Sequence, residues 1–250
     1  MARTPAGDSP LHHTVTRGSG VPVVLLHGFG TSHHANWMRT GWDTALAGRT
    51  TVGPDLRGHG GSGRPHEHRA YLPEAMADDV VRLLDVLDIE RADLVAYSMG
   101  SRLAWELALT RPDRVRRAVL GGFGPVDAFE GTDLNSPGSA DTPFGRVFRA
   151  AAALPGADPA ALAACARGQA ARPFTASPAP RGVPLLFVAG ERDDLARGVE
   201  ELARATGAQA VRVAGRDHRT AVSAQAFKKS VVEFLGRGAR ADSDTPDLIG

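Results

Sequence analysis

One stretch of the chain, ADLVAYSMGSRLAWELALT, constrains the fold more strongly than any other. Its mostly apolar first part, residues 92–97, is typical of a buried strand, and residues 99–110 have the apolar spacing of a helix. Ser98 stands between them, so the chain must turn from strand to helix at this residue. The small residues Ala96 and Gly100, two positions to either side, leave the backbone room for that bend. The stretch therefore predicts a tight strand–serine–helix turn.

The rest of the chain alternates short apolar runs with helical patterns. Runs such as VVLL and PLLFVAG are nearly continuous, as in strands covered on both faces of a parallel sheet. The strand candidates are residues 21–27, 50–54, 92–97, 115–121, 183–190 and 210–214, with residues 12–16 as an antiparallel edge strand. The helix candidates are residues 72–87, 99–110, 196–205 and 221–235. This alternation predicts an α/β fold with a doubly wound, mostly parallel sheet and right-handed crossovers.

Residues 125–181 interrupt the alternation. They hold no good strand candidate, and Pro, Gly and Ala are mixed there with scattered Phe. A connection of this length inside a compact fold is usually functional or forms a lid. We therefore expect a small helical cap at 125–181 and a core made of 11–124 and 182–237, with mobile tails at 1–10 and 238–250.

The turn at Ser98 predicts a nucleophile, because the bend lifts the hydroxyl above the sheet edge at the positive end of a helix. The alternative is that Ser98 only caps that helix. A serine hydroxyl needs a base to take its proton, and the best placed of the nine histidines is His218. It follows the last strand candidate and Gly215, which suits a sharp turn at a strand end.

A third residue should orient the base, and its candidates follow the run PLLFVAG in the segment GERDD. Asp193 is the first choice and Asp194 the second. Asp217 is adjacent to His218 in sequence and is poorly placed to reach its ring, so we interpret it as a surface charge. Asp127 is a more distant alternative.

Two backbone N–H groups are expected to hold the negative charge that develops on a substrate oxygen. One is the N–H of Met99, directly after the serine, and the other is that of Phe29 in the loop HGFG. His27 in this loop is expected to be structural. The candidate walls of an apolar substrate pocket, each with core packing as the alternative, are Phe123, Phe144 and Phe148.

With these motifs in place, the chain resembles the α/β-hydrolase superfamily, in the branch of small bacterial esterases and lactonase-like enzymes. The matching segments are VVLLHGFG, PDLRGHGGS, AYSMG, GERDD and GRDH, spread over nearly the whole chain between its tails. The order Ser98, Asp193, His218 is the order used in that superfamily. The resemblance implies a catalytic acid at Asp193, oxyanion donors at Phe29 and Met99, and a cap between the sixth and seventh strands.

Composition and the remaining motifs argue against several other classes. The chain has 29 Lys and Arg against 28 Asp and Glu, so nothing predicts binding to nucleic acid or to an anionic membrane. The segment GHGGSG has the glycine spacing of a dinucleotide site, but no helix pattern opens at its third glycine. The single cysteine, Cys165, is expected to be a packing residue, and HEH at 66–68 is expected to lie in a solvated loop. We expect neither a metal nor a cofactor.

The amino-terminal residues MARTPAGDSPLHH lack the apolar run of a secretory signal, which predicts a cytoplasmic location. The expected partner is a small-molecule substrate. Trp37 and Trp42 are expected in the core rather than on a ligand platform.

Together these features predict a serine hydrolase that cleaves an ester, lactone or thioester of a small apolar substrate through an acyl-enzyme on Ser98. The same triad can also cleave a carbon–carbon bond or serve a biosynthetic acyl transfer or cyclisation. A non-catalytic binding protein on this fold is a further alternative. Epoxide hydrolases and haloalkane dehalogenases of this fold normally carry an aspartate at the strand–helix turn, so Ser98 argues against both.

Overall fold

The computed structural model of the protein describes residues 11–237, so the predicted tails lie outside the described residues. The strands are β1 (His13–Thr16), β2 (Ser19–Leu26), β3 (Arg49–Pro54), β4 (Ala92–Tyr97), β5 (Val115–Gly121), β6 (Leu185–Gly190) and β7 (Gln209–Val213). They form one seven-stranded sheet in the order β1-β3-β2-β4-β5-β6-β7. β1 pairs antiparallel with β3, and the other pairings are parallel. The predicted α/β fold with a mostly parallel sheet is confirmed.

Helices lie on both faces of this sheet. They are α1 (Trp42–Ala45), α2 (Pro73–Val86), α3 (Met99–Thr110), α4 (Pro143–Ala152), α5 (Pro159–Ala170), α6 (Val199–Ala205) and α7 (Gln225–Gly236). The apolar sides of α2, α3 and α6 pack on one face of the sheet. α1 and α7 pack on the other face, together with Trp37. None of the helices in the described part of the chain is long and apolar enough to cross a membrane.

This layering explains the nearly continuous apolar runs in the sequence. In β2, Val24 and Leu26 contribute to the cluster under α2 and α3, whereas Val23 and Leu25 contribute to the cluster under α7. All four are fully or almost fully buried. Successive side chains of a strand point to opposite faces, so a strand that is covered twice needs apolar residues at every position.

The strand order reverses at the centre of the sheet, between β2 and β4. From β2 the chain next enters β3 on one side, and from β4 it next enters β5 on the other. The loops that leave the carboxyl ends of these two neighbours therefore diverge and leave a crevice between them. This crevice is where a ligand site is expected in an open α/β sheet.

The segment between β5 and β6 contains α4 and α5 and no strand. Its helices share a cluster of apolar side chains, and Phe29 packs against that cluster. The segment is tied to the core by a hydrogen bond from Gln169 Nε2 to the carbonyl of Tyr71, 2.7 Å long. The segment follows the fifth of the seven strands in residues 11–237, and not the sixth as expected. The count is one lower because a single strand, β1, precedes β2. The predicted division into a core and a cap at 125–181 stays a prediction.

Candidate active site

Ser98 lies at the turn from β4 into α3 with φ of +52° and ψ of −117°. A non-glycine residue with positive φ is strained, and such strain persists only where the surroundings enforce it. Here the Ser98 N–H donates to the carbonyl of Gly121 at 2.8 Å, and the Ser101 hydroxyl donates to the same carbonyl at 2.8 Å. A Cβ on Gly100 would lie 2.3 Å from the carbonyl oxygen of Leu26, so only glycine lets α3 approach β2 this closely.

The structure brings Ser98, His218 and Asp193 together. The Oγ of Ser98 lies 3.0 Å from Nε2 of His218. On the other side of the ring, Nδ1 of His218 lies 2.9 Å and 3.0 Å from the two carboxylate oxygens of Asp193. Since a carboxylate accepts, Nδ1 carries the proton and Nε2 is free to accept from the serine.

The loops that carry Asp193 and His218 are bound to each other. A Cβ on Gly190, at the end of β6, would lie 2.4 Å from the carbonyl oxygen of Arg216, so the two loops touch through backbone. The N–H of Arg192 donates to that same carbonyl at 2.8 Å. Within its own turn, Asp193 accepts from the N–H of Leu195 at 3.1 Å. Its side chain is fully buried, so water does not compete for the carboxylate.

The other acid candidates lie elsewhere. Asp194 is exposed. Asp217 accepts from the hydroxyl and the N–H of Thr220 at 2.7 Å and 2.9 Å, and these two contacts hold the pKa of its exposed carboxyl below the usual value. Asp127 is exposed and accepts from the N–H of Phe129 at 2.9 Å. The first choice made from sequence, Asp193, is therefore the aspartate that contacts the His218 ring.

Tyr97, the residue before the serine, also holds the base. Its hydroxyl donates to the backbone carbonyl of His218 at 2.6 Å. The two ring centroids are 5.4 Å apart, and Tyr97 is buried. Burial, with Asp193 nearby, raises the pKa of the phenol well above its usual value, so it stays a hydrogen-bond donor. Sequence reasoning did not find this contact, which joins residues 121 positions apart.

The loop after β2 passes directly beside the serine. A Cβ on Gly28 would lie 3.4 Å from Cβ of Ser98. The N–H of Gly28 donates to Oδ1 of Asn36 at 3.2 Å, a contact that sequence reasoning also missed. Within residues 11–237, the backbone N–H groups of Phe29 and Met99 donate to no other group of the protein. Two unpaired donors close to a serine are what an oxyanion site requires.

Three further histidines lie below this loop in neutral form. Burial lowers the pKa of His27 to about 3 and that of His59 to about 4. It also lowers the pKa of His33. The His59 ring packs edge-on against His27 and Phe29, with centroid distances of 5.3 Å and 5.6 Å. These rings are packed supports of the loop, as expected for His27, and they do not reach the serine.

The Phe residues predicted as pocket walls lie in two places. Phe144 and Phe148 are buried in α4, and their ring centroids lie 5.0 Å and 6.3 Å from that of Phe29. Phe123 follows β5 and packs edge-on against Phe174 at 4.9 Å. Sγ of Cys165, in α5, lies 3.7 Å from Sδ of Met99.

Cys165 is a buried packing residue, as predicted, and burial raises the pKa of its thiol far above the usual value. Trp37 and Trp42 are fully buried in the core, also as predicted. His66 is exposed in the loop before α2, and His68 is exposed at the start of the 3₁₀ turn His68–Tyr71. In residues 11–237 no group of three or more histidine, cysteine or acidic side chains could hold a metal ion.

Comparison with known proteins agrees with this fold. Residues 21–163, more than half of the chain, match the family model described as alpha/beta hydrolase fold. The chain is 38% identical over 109 residues to an epoxide hydrolase of Caballeronia sordidicola and 40% identical over 111 residues to a 2-hydroxymuconate semialdehyde hydrolase of Pseudomonas sp. strain CF600. The two alignments cover 44% of this chain each, but only 32% and 38% of those relatives.

Among solved structures, the chain is similar to a hydrolase from Pseudomonas aeruginosa PA01 with a TM-score of 0.72 and 25% identity. That superposition covers 90% of this chain and 93% of the other. A superposition of this extent must reach well beyond residue 163, where the family match ends. On the fold, the family match and the turn at Ser98, the chain belongs to the alpha/beta hydrolase fold family.

Proposed function

We propose that the protein is a serine hydrolase that cleaves an ester, lactone or thioester of a small, mainly apolar substrate through an acyl-enzyme on Ser98. The observation that carries this proposal is the line of contacts from Ser98 Oγ to His218 Nε2 and from His218 Nδ1 to Asp193, with lengths of 3.0 Å and 2.9 Å. A nucleophile, a base and an orienting acid within hydrogen-bond distance can activate a hydroxyl that is otherwise a weak nucleophile.

The proposed reaction has two halves. His218 Nε2 takes the proton of Ser98 as Oγ attacks the carbonyl carbon, and the N–H groups of Phe29 and Met99 hold the oxygen that becomes negative. His218 then gives the proton to the leaving group, which departs and leaves the acyl-enzyme. Water, deprotonated by the same ring, attacks the acyl carbon and restores Ser98. Buried Asp193 stabilises the imidazolium in both halves.

A serine at the strand–helix turn favours this chemistry over epoxide opening, although one relative is an epoxide hydrolase. Ring opening through a covalent ester places a carboxylate at this position, and the ester is then hydrolysed at the carboxyl carbon. Ser98 would instead form an ether, which no triad step can hydrolyse. We therefore assign the chain to acyl chemistry rather than to epoxides.

Cleavage of a carbon–carbon bond is the second candidate, supported by the 40% identity to a 2-hydroxymuconate semialdehyde hydrolase. That reaction can use the same serine, base and oxyanion donors, because the bond broken also lies next to a carbonyl carbon. It differs in its leaving group, which is a carbanion equivalent rather than an alcohol or thiol. Substrate preference therefore separates the two candidates.

The test is a panel of p-nitrophenyl esters, thioesters, lactones and a vinylogous 1,5-diketone, assayed with the wild-type protein and Ser98→Ala. We expect ester-type hydrolysis by the wild type and a fall in kcat of about 10⁴-fold or more in Ser98→Ala, as for triad removals in general. Circular dichroism should show that the variant is folded. Retention of kcat within about tenfold would refute the role of Ser98, and turnover of the diketone alone would favour the second candidate.

A further inference from the structure

We propose that His27 is a positioning residue of the active site: it holds the carbonyl of Gly28 and thereby aims the Phe29 N–H at the substrate oxygen. The inference rests on the proposed function, since it concerns the oxyanion donor of that reaction. It gives a role in catalysis to a buried side chain that touches neither substrate nor nucleophile.

The first step is the bond itself. Nδ1 of His27 lies 2.8 Å from the carbonyl oxygen of Gly28, and the N–H of Leu56 lies 2.8 Å from Nε2 of the same ring. A carbonyl can only accept and a backbone N–H can only donate, so Nδ1 carries the proton and Nε2 does not. The neighbouring chain thus fixes both the orientation and the tautomer of the ring.

The second step is the geometry of the peptide. The carbonyl of Gly28 and the N–H of Phe29 belong to one planar trans unit, in which C=O and N–H point in opposite directions. The His27 ring bridges the Gly28 carbonyl and the Leu56 N–H, so the carbonyl is fixed on the side of Leu56. The Phe29 N–H is thereby directed away from that side, and it donates to no other group within residues 11–237.

The third step is the stiffness of the arrangement. His27 is fully buried, and burial holds its pKa at about 3, so the ring stays neutral over the working range of a hydrolase. No other hydrogen bond within residues 11–237 holds the Gly28 carbonyl, and glycine tolerates either orientation of the Gly28–Phe29 peptide. The Asn36 contact fixes only the preceding N–H of Gly28.

Two substitutions test the two hydrogen bonds of the His27 ring one at a time. In His27→Gln the side-chain amide reaches the Nε2 position, so it can still accept from Leu56 but no longer donates to Gly28. In His27→Asn the amide lies at the Nδ1 position, so it can donate to Gly28 but leaves the Leu56 N–H unpaired. His13→Gln is a matched control, because Nδ1 of His13 also bonds a carbonyl, that of Leu11 at 2.8 Å, on the edge strand β1.

With p-nitrophenyl butyrate we expect His27→Gln to lose about 10- to 100-fold in kcat, with KM changed by less than about threefold. His27→Asn should keep a higher kcat than His27→Gln and yet unfold at a lower urea concentration. The more active of the two variants would then be the less stable one. If kcat instead follows stability in both variants, or if His27→Gln matches His13→Gln, His27 is only a core residue and the proposal fails.

A spectroscopic measurement tests the same inference without turnover. Diethyl p-nitrophenyl phosphate should phosphorylate Ser98 and place a P=O group in the oxyanion site. In ¹⁵N-labelled wild type the Phe29 amide proton should then move downfield, and in His27→Gln this shift should be much smaller. Failure to label Ser98 would refute the proposed function; labelling of both proteins with equal Phe29 shifts would refute the role of His27 alone.

Discussion

A small set of hydrogen bonds orients the polar side chains of the site. Asp193 holds the His218 ring on one nitrogen, Tyr97 holds the His218 backbone, and Ser98 contacts the other nitrogen. His218, the predicted base, is thus held at three atoms by two segments, the β4–α3 turn and the loop after β6. A base held in this way has little freedom to lose when the substrate binds, which favours catalysis.

Asp193→Asn should reduce kcat by about 10⁴-fold, because the amide can present an N–H to Nδ1 and stabilise the wrong tautomer of His218. The exposed neighbour supplies the control: Asp194→Asn removes the same charge one position away and should leave kcat within about twofold of the wild type. Steady-state kinetics on a p-nitrophenyl ester measures both. Equal losses in the two variants would show that net charge, and not the contact with His218, is what matters.

At the residue scale, sequence predicts the parts that follow from local chemistry. Ser98 is marked by the small residues around a strand–helix turn, and Asp193 and His218 are marked by the ends of the last two strands. The contacts of Tyr97 and Asn36 could not be predicted, because each depends on which loops meet in space. In the sequence, a buried tyrosine or asparagine looks the same whether it only packs in the core or also holds a residue of the site in place.

At the scale of elements, the close approach of α3 to β2 decides where the serine lies. The helix can start beside the end of β2 only because residue 100 has no side chain. In a helix, glycine is ordinarily about 1 kcal/mol less favourable than alanine. Glycine is therefore needed at residue 100 because the two backbones lie too close for a side chain, and not because it favours a helix.

Gly100→Ala should lower the free energy of unfolding by roughly 1 to 3 kcal/mol, because the new Cβ meets the backbone carbonyl of Leu26 and α3 must shift. Movement of α3 also displaces the Met99 N–H, so kcat should fall as well. Gly236→Ala, at the end of α7, is the control, since a Cβ there meets nothing within 4 Å and should be neutral or slightly stabilising. Urea unfolding of both variants measures the difference, and equal midpoints would contradict the steric explanation.

The predicted strands agree with the observed ones to within about two residues, since apolar runs flanked by polar loops mark them clearly. The helix ends were harder to predict. The predicted helices 196–205 and 221–235 begin too early, because residue 196 ends one 3₁₀ turn, Asp194–Ala196, and residues 221–223 form another, Ala221–Ser223. The four-residue α1 and the π-helical turn His34–Met38 were not predicted, because neither is long enough to show a period.

At the scale of the whole molecule, the buried neutral histidines make the fold sensitive to acid. His27 and His59 have a pKa of about 3 and about 4 in the folded chain, against about 6.5 when unfolded. The unfolded state therefore binds more protons below pH 6.5, so stability is lost as the pH falls through this range.

The two groups together should lower the free energy of unfolding by about 3 to 4 kcal/mol between pH 7 and pH 5. Urea unfolding at several pH values measures this loss. His59→Gln removes one of the two groups and should make the dependence on pH about half as steep. A free energy of unfolding that stays constant from pH 7 to pH 5 would show that these rings become protonated without cost in the folded state.

The separation of Ser98 from His218, 120 positions later in the chain, has a consequence for biosynthesis. A ribosome completes the serine, its turn and the helices of the insertion well before it reaches the histidine. Until the last strand joins the sheet, that hydroxyl has no partner able to accept its proton. On the proposed mechanism, the nascent polypeptide should therefore be inert toward acyl donors, and reactivity should begin only when the carboxyl-terminal segment docks.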